Sequence, residues 1–145
     1  MNGPNRQPEI SIDVVIPNQT RYLDLVGDIG ERVCSKIKDY SGDREALGYN
    51  LNLVLTEAIS NAIKYASGPS PGKAIKVSIR VLQHELCVTV RDNGQGFDLE
   101  SIPPPDLDNP TGAGLGLFLI RNIMDQVDYR RAPSGNVLEM RKGLR

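Results

Sequence analysis

One stretch, residues 51–66 (LNLVLTEAISNAIKYA), constrains the fold more than any other. Leu47, Leu51, Val54, Leu55, Ala58, Ala62 and Ala66 recur at three- and four-residue steps. At about 3.6 residues per turn that spacing lays a single apolar face along a helix. Glu57, Asn61 and Lys64 follow at i, i+4 and i+7, stacked within an arc of about 60° beside the apolar stripe. A carboxylate, a carboxamide and an ammonium on one helix edge can serve a metal–phosphate substrate. A solvated polar border would look the same, and the decision between them rests on glycine motifs further along the chain.

The elements around this helix can be read in order. Ile10, Ile12, Val14 and Ile16 alternate with Ser11, Asp13 and Val15, which predicts a strand ended by Pro17. Asn18 or Thr20 is positioned to cap a helix with apolar positions Leu23, Val26, Ile29, Val33 and Ile37. Gly27 and Gly30 lower its helicity by about 1 kcal/mol each relative to alanine, so packing has to supply the difference. Ser41, Gly42 and Asp43 form a break, with Asp43 available to cap the central helix. Residues 67–73 are turn-rich. Strands are expected at 74–82 and 86–92, joined by a short hairpin at 83–85. The second strand runs into DNGQGF at 92–97. Pro103, Pro104, Pro105 and Pro110 then bar regular structure from 98 to 111. Glycines open a last helix with apolar positions Leu117, Ile120, Ile123, Met124 and Val127. Tyr129–Arg131, a turn at 133–136 and a final strand through Val137, Leu138 and Met140 complete the chain.

The order is β-α-α-β-β-α-β-β. Adjacent hairpins imply a mixed, mainly antiparallel sheet with the helices on one face, a two-layer α+β sandwich and not a doubly wound parallel sheet. Residues 10–145 are expected to form one domain after a flexible, polar N-terminus at 1–9. The formal charge of −1 over 145 residues argues against a general electrostatic grip on nucleic acid. Cys34 and Cys87 stand outside any CxxC spacing and read as reduced thiols of a cytosolic protein. No charged-then-apolar leader heads the chain, and no apolar run approaches the roughly 20 residues that span a bilayer. A cytoplasmic location without membrane contact is the expectation. His84, beside the hairpin turn, reads as a surface residue.

Asp92 stands where a strand ends, and a carboxylate held at the mouth of a sheet can accept a hydrogen bond from an exocyclic amine such as adenine's. Gly94 and Gly96 allow the backbone to turn sharply and approach a ligand ring. A calcium loop is not expected, because the twelfth position from Asp92 is Pro103, which supplies no bidentate carboxylate. Gly112, Gly114 and Gly116 directly precede a helix, whose unpaired amides and aligned dipoles favour an anion. Leu117 and Leu119 stand where a dinucleotide-binding loop needs its third glycine, and a proline-rich loop precedes the motif where that fold needs a strand. The GK[ST] ending of a P-loop is missing as well.

ExxxNA at 57–62, DxGxG at 92–96 and GxGxG at 112–116 resemble the N box and the first and second glycine boxes of the GHKL ATPase superfamily. Within it, the chain most resembles the bacterial anti-sigma-factor serine/threonine kinases (RsbW-like), over roughly residues 10–142. The resemblance implies that Asn61 coordinates a magnesium ion bridging the phosphates of ATP. It implies that Glu57 is the general base for the attacking hydroxyl and that Asp92 reads the adenine amine beside Gly94 and Gly96. Gly112, Gly114 and Gly116 would line the phosphates beneath a lid at 97–111, and Lys64 would lie near them.

The implied partners are a sigma factor and a small anti-sigma-factor antagonist phosphorylated on serine or threonine, with the kinase acting as a homodimer. One departure stands out. No lysine or arginine occurs between Asp92 and Ile120, and the lid carries Asp98, Glu100, Asp106 and Asp108. A nucleotide-dependent binding switch with little phosphoryl transfer therefore stays open, as does a detached histidine-kinase catalytic domain. The acidic residue at 57, and a lone His84 at a turn, weigh against the last.

Overall fold

The computed structural model describes residues 7–65, 70–93, 108, 114–132 and 135–144. Its strands are β1 (Ile10–Asn18), β2 (Ser70–Leu82), β3 (Glu85–Asp92), β4 (Gln126–Ala132) and β5 (Gly135–Gly143), and its helices are α1 (Leu23–Ser35), α2 (Arg44–Tyr65) and α3 (Leu115–Ile123). A short 3-10 helix, Thr20–Tyr22, precedes α1. The strands form one sheet in the order β1-β2-β3-β5-β4, and all four pairings are antiparallel. The two-layer α+β sandwich expected from the sequence is what forms, with no parallel pair among the described strands.

Strand alternation decides which layer each side chain joins. Ile75, Val77, Ile79 and Val81 of β2 and Leu86, Val88 and Val90 of β3 are buried, while Lys76 and Arg91, which pair on the opposite face, are exposed. The buried set forms one cluster with Val26 and Val33 of α1, Leu51, Leu55 and Ile59 of α2, and Leu117 and Ile120 of α3. Fully burying a leucine or isoleucine of this kind stabilises the fold by about 1.5–3 kcal/mol relative to leaving it exposed.

The central helix is longer than its apolar run suggests, because Asp43 caps it: Ala46 N–H donates to Asp43 Oδ1 at 3.0 Å. Its buried face is also broader. Ile59 and Ile63 are buried alongside the predicted positions, since α2 touches α1, α3 and β3 together. Ala66 lies outside the described residues. Gly27 and Gly30 let α1 approach α2 closely. A β-carbon on Gly30 would lie 2.5 Å from Leu55 Cδ1, and one on Gly27 would collide with Asn52, whose amide also donates to Glu31.

Several boundaries differ from expectation. Pro17 does not end β1. It pairs opposite Ala74 on an edge strand, the part of a sheet that tolerates proline, and the register shifts only after it. The shift sets Asn18 opposite Ser70, so β2 begins inside the stretch read as turn-rich. Neither Asn18 nor Thr20 caps a helix by its side chain. Asn18 is buried in β1, and the chain winds into α1 through the 3-10 turn instead. The last helix ends at Ile123, because Met124 is extended and Asp125 N–H bonds Arg141 O at 2.8 Å. Val127 therefore belongs to β4.

His84 is exposed in the two-residue β2–β3 turn, with a φ of 63°. No helix among the described residues is long and apolar enough to cross a membrane.

Candidate functional site

The polar edge of α2 meets the start of α3. A β-carbon on Gly116 would lie 2.5 Å from Glu57 Oε1 and 3.6 Å from Asn61 Nδ2. Glu57 and Asn61 are one turn apart on α2 and both half-buried. Glycine at 116 is what allows the first turn of α3 to sit against them. Lys64 is exposed in the last turn of the same helix.

Gly114 is the residue before α3, with a φ of 91° in the left-handed region that glycine adopts without strain. Its carbonyl accepts from Phe118 N–H at 2.9 Å and closes the first helical turn. No side chain among the described residues caps this end. The amides of Leu115, Gly116 and Leu117 have no intrahelical carbonyl to bond, and they point outward together with the positive end of the helix dipole.

Asn61 Nδ2 is buried and has no hydrogen-bond partner among the described residues. An unsatisfied buried donor costs about 1–3 kcal/mol. A phosphate oxygen is the kind of acceptor it lacks, and a half-turn of the carboxamide presents its oxygen to a cation instead. Nucleotide and magnesium fit the donor set at this point. Among the described residues no group of three or more His, Cys, Asp or Glu could hold a metal.

The Asp92 end of the candidate site is built by β3 and β5. Asp92 shares the parity of Leu86, Val88 and Val90, so its side chain leaves the sheet on the helix side. α2 rests on the same strand. Opposite Asp92 in the β3–β5 ladder is Asn136, 3% exposed, whose Nδ2 donates to Asp92 Oδ1 at 3.0 Å. Gly135 fixes this end of β5. Its φ is 136°, and a β-carbon there would lie 2.9 Å from the Asp92 carbonyl oxygen and 2.9 Å from Asn93 Oδ1.

The structure thus brings together Glu57, Asn61 and Gly116, with Gly114 two residues before. It sets Asp92 at the end of the strand beneath α2. Gly94, Gly96, Gly112 and the lid 97–111, apart from an exposed Asp108, lie outside the described residues. So do residues 1–6 of the N-terminus. Arg121, in the last turn of α3, is exposed. Asn136 escaped the sequence reading, which placed it in a turn. Nothing in its local sequence marks it, because its pairing is set by the β3–β5 register.

The fold is that of a GHKL-type ATPase domain. Residues 16–142 match the family of the histidine kinase-like ATPase domain, and the chain belongs to that family. Among characterised proteins, the chain is similar to the serine-protein kinase RsbW of Halalkalibacterium halodurans, 29% identical over 146 residues, covering 95% of this chain and 85% of that one. RsbW of Listeria monocytogenes serovar 1/2a is 32% identical over 124 residues, covering 80% of this chain and 76% of the relative. Among solved structures, the catalytic domain of the histidine kinase ThkA superposes with a TM-score of 0.54 at 17% identity, covering 92% of this chain and 96% of that one.

Proposed function

We propose that the chain binds ATP with magnesium and transfers the γ-phosphoryl group to a serine or threonine of a small antagonist protein, as an anti-sigma regulatory kinase. The observation that carries the reading is the contact of Glu57 and Asn61 with the glycine-opened start of α3. That contact joins a carboxylate, a carboxamide whose Nδ2 has no partner among the described residues, and the amides of a helix start at one place. The serine-protein kinase names of the relatives support the choice of acceptor.

In this reading Gly112, Gly114 and Gly116 hold the phosphates against backbone amides, and Asp92, with Gly94 and Gly96, receives the adenine amine. Asn61 holds the magnesium, which neutralises developing charge on the phosphates when bound; magnesium takes few protein ligands and keeps several waters. Glu57 accepts the proton of the attacking hydroxyl, a role worth about 10²–10⁴-fold in rate. Lys64, one turn beyond Asn61, supplies positive charge toward the phosphates. Phosphoryl transfer needs positioning and charge neutralisation more than covalent help, and this donor set provides both.

The physiological partners are a sigma factor and its antagonist, not nucleic acid or a membrane, and the kinase works as a cytoplasmic homodimer. Phosphate added to the antagonist weakens its complex by charge. A second reading, a nucleotide-dependent binding switch with little transfer, is favoured by the absence of lysine and arginine from 93 to 120. The test is transfer of label from γ-labelled Mg-ATP to the host's candidate antagonists. Transfer that is abolished in Glu57→Gln, with nucleotide binding retained, supports the kinase. Binding without transfer in the unaltered chain supports the switch.

A further inference from the structure

We infer that Asn136 is a positioning residue that holds the Asp92 carboxylate in the orientation that selects a 6-amino purine over a 6-oxo purine. The inference rests on the nucleotide reading of the site given above. Asparagine is rarely buried this completely, and a buried carboxamide has to be hydrogen-bonded. Asn136 meets that need by donating Nδ2 to Asp92 Oδ1 at 3.0 Å, directly across the β3–β5 ladder.

The pair is held from both sides. Both residues sit in paired strands, and Gly135 lets the start of β5 close on the Asp92 carbonyl, where any side chain would force the strands apart. Left on its own, a carboxylate turns freely about its last bond and can meet a donor or acceptor in many geometries. With one oxygen held by a fixed amide donor, the plane of the group is fixed and its remaining lone pairs point in set directions. An acceptor so aimed favours an exocyclic amine and disfavours a carbonyl oxygen at the same ring position, which is adenine against hypoxanthine. A site built to bond a polar group discriminates strongly against an analogue lacking it.

The test is an equilibrium titration of the full chain with Mg-ATP and Mg-ITP. The unaltered protein is expected to prefer ATP by about tenfold or more. In Asn136→Leu the ATP affinity is expected to fall about tenfold while ITP affinity barely moves, so the preference collapses toward unity. Asn136→Asp keeps the shape but replaces the donor by a second carboxylate. Its ATP preference is lost at neutral pH and returns in part on acidification, because two carboxyls in contact come to share a proton. That variant carries the test should Asn136→Leu fail to fold. If both nucleotides weaken equally in the variants, or the preference survives unchanged, Asn136 is only a structural residue and the inference is overturned. An unaltered, folded protein that binds neither nucleotide overturns the nucleotide reading and this inference with it.

Discussion

Glu57 Oε1 lies 2.5 Å from the point where a β-carbon on Gly116 would sit, so the polar edge of α2 and the first turn of α3 meet with no room between them. Among the described residues, the atom in the way is the far end of a flexible side chain. Gly116→Ala is therefore expected to displace the Glu57 carboxylate without harming the fold. Alanine also raises helix propensity by up to about 1 kcal/mol, so the melting temperature should hold or rise slightly. Mg-ATP binding should weaken by roughly tenfold or more and phosphoryl transfer should be lost. Unchanged binding and transfer would separate Gly116 from the site.

Gly30→Ala should behave in the opposite way. Its β-carbon would meet Leu55 Cδ1 at 2.5 Å and Leu51 at 3.2 Å, and both leucines are fully buried in the core and have nowhere to go. Overpacking of this kind costs about 1–3 kcal/mol, more than the gain in propensity returns. Chemical denaturation should show a lower midpoint with an unchanged slope.

The central helix, the hairpins and the layer order were legible in the sequence because each is written in local periodicity. The apolar stripe of α2, the Asp43 cap and the alternation of β2 need no knowledge of what lies opposite. Boundaries that depend on a partner strand were not legible. Pro17 stays in β1 because that strand is an edge, and β2 starts at Ser70 because Asn18 pairs with it after a register shift. Glu57, Asn61 and the glycines announced themselves as motifs, whereas the hydrogen bond of Asn136 to Asp92 joins residues 44 positions apart that only the strand register brings together.

The two thiols should differ sharply. Burial, with Glu31 adding like charge, pushes Cys34 up to about 11, and its residue is fully enclosed. Cys87 is also raised by burial but lies partly open on the outer face of the sheet. At pH 8 only about one Cys34 in a thousand is thiolate, so a thiol reagent should label Cys87 in the folded protein and Cys34 only on unfolding. Equal labelling rates in the native state would contradict this packing.

Asp13 gives the acid dependence. Its carboxylate accepts from Ser78 Oγ at 2.8 Å and pairs with Arg80 at 2.9 Å, and these bonds hold it below its ordinary value. The folded state thus favours the ionised form. Its contribution is present above the unfolded value of about 3.9 and is lost as pH falls through the lower folded value. Asp13→Asn should lower the melting temperature modestly at neutral pH. The gap from the unaltered protein should close at strongly acidic pH, and a gap that widens there would reverse the sign.

The proposed convergence of three separated segments on one nucleotide is tested most directly by isothermal titration calorimetry of the purified, folded chain with Mg-ATP, beside Asn61→Ala. A saturable heat at or below about 1 mM nucleotide, much weakened in Asn61→Ala when magnesium is present, is the expected result. A folded protein giving no heat with Mg-ATP or Mg-ADP at millimolar concentration would contradict it.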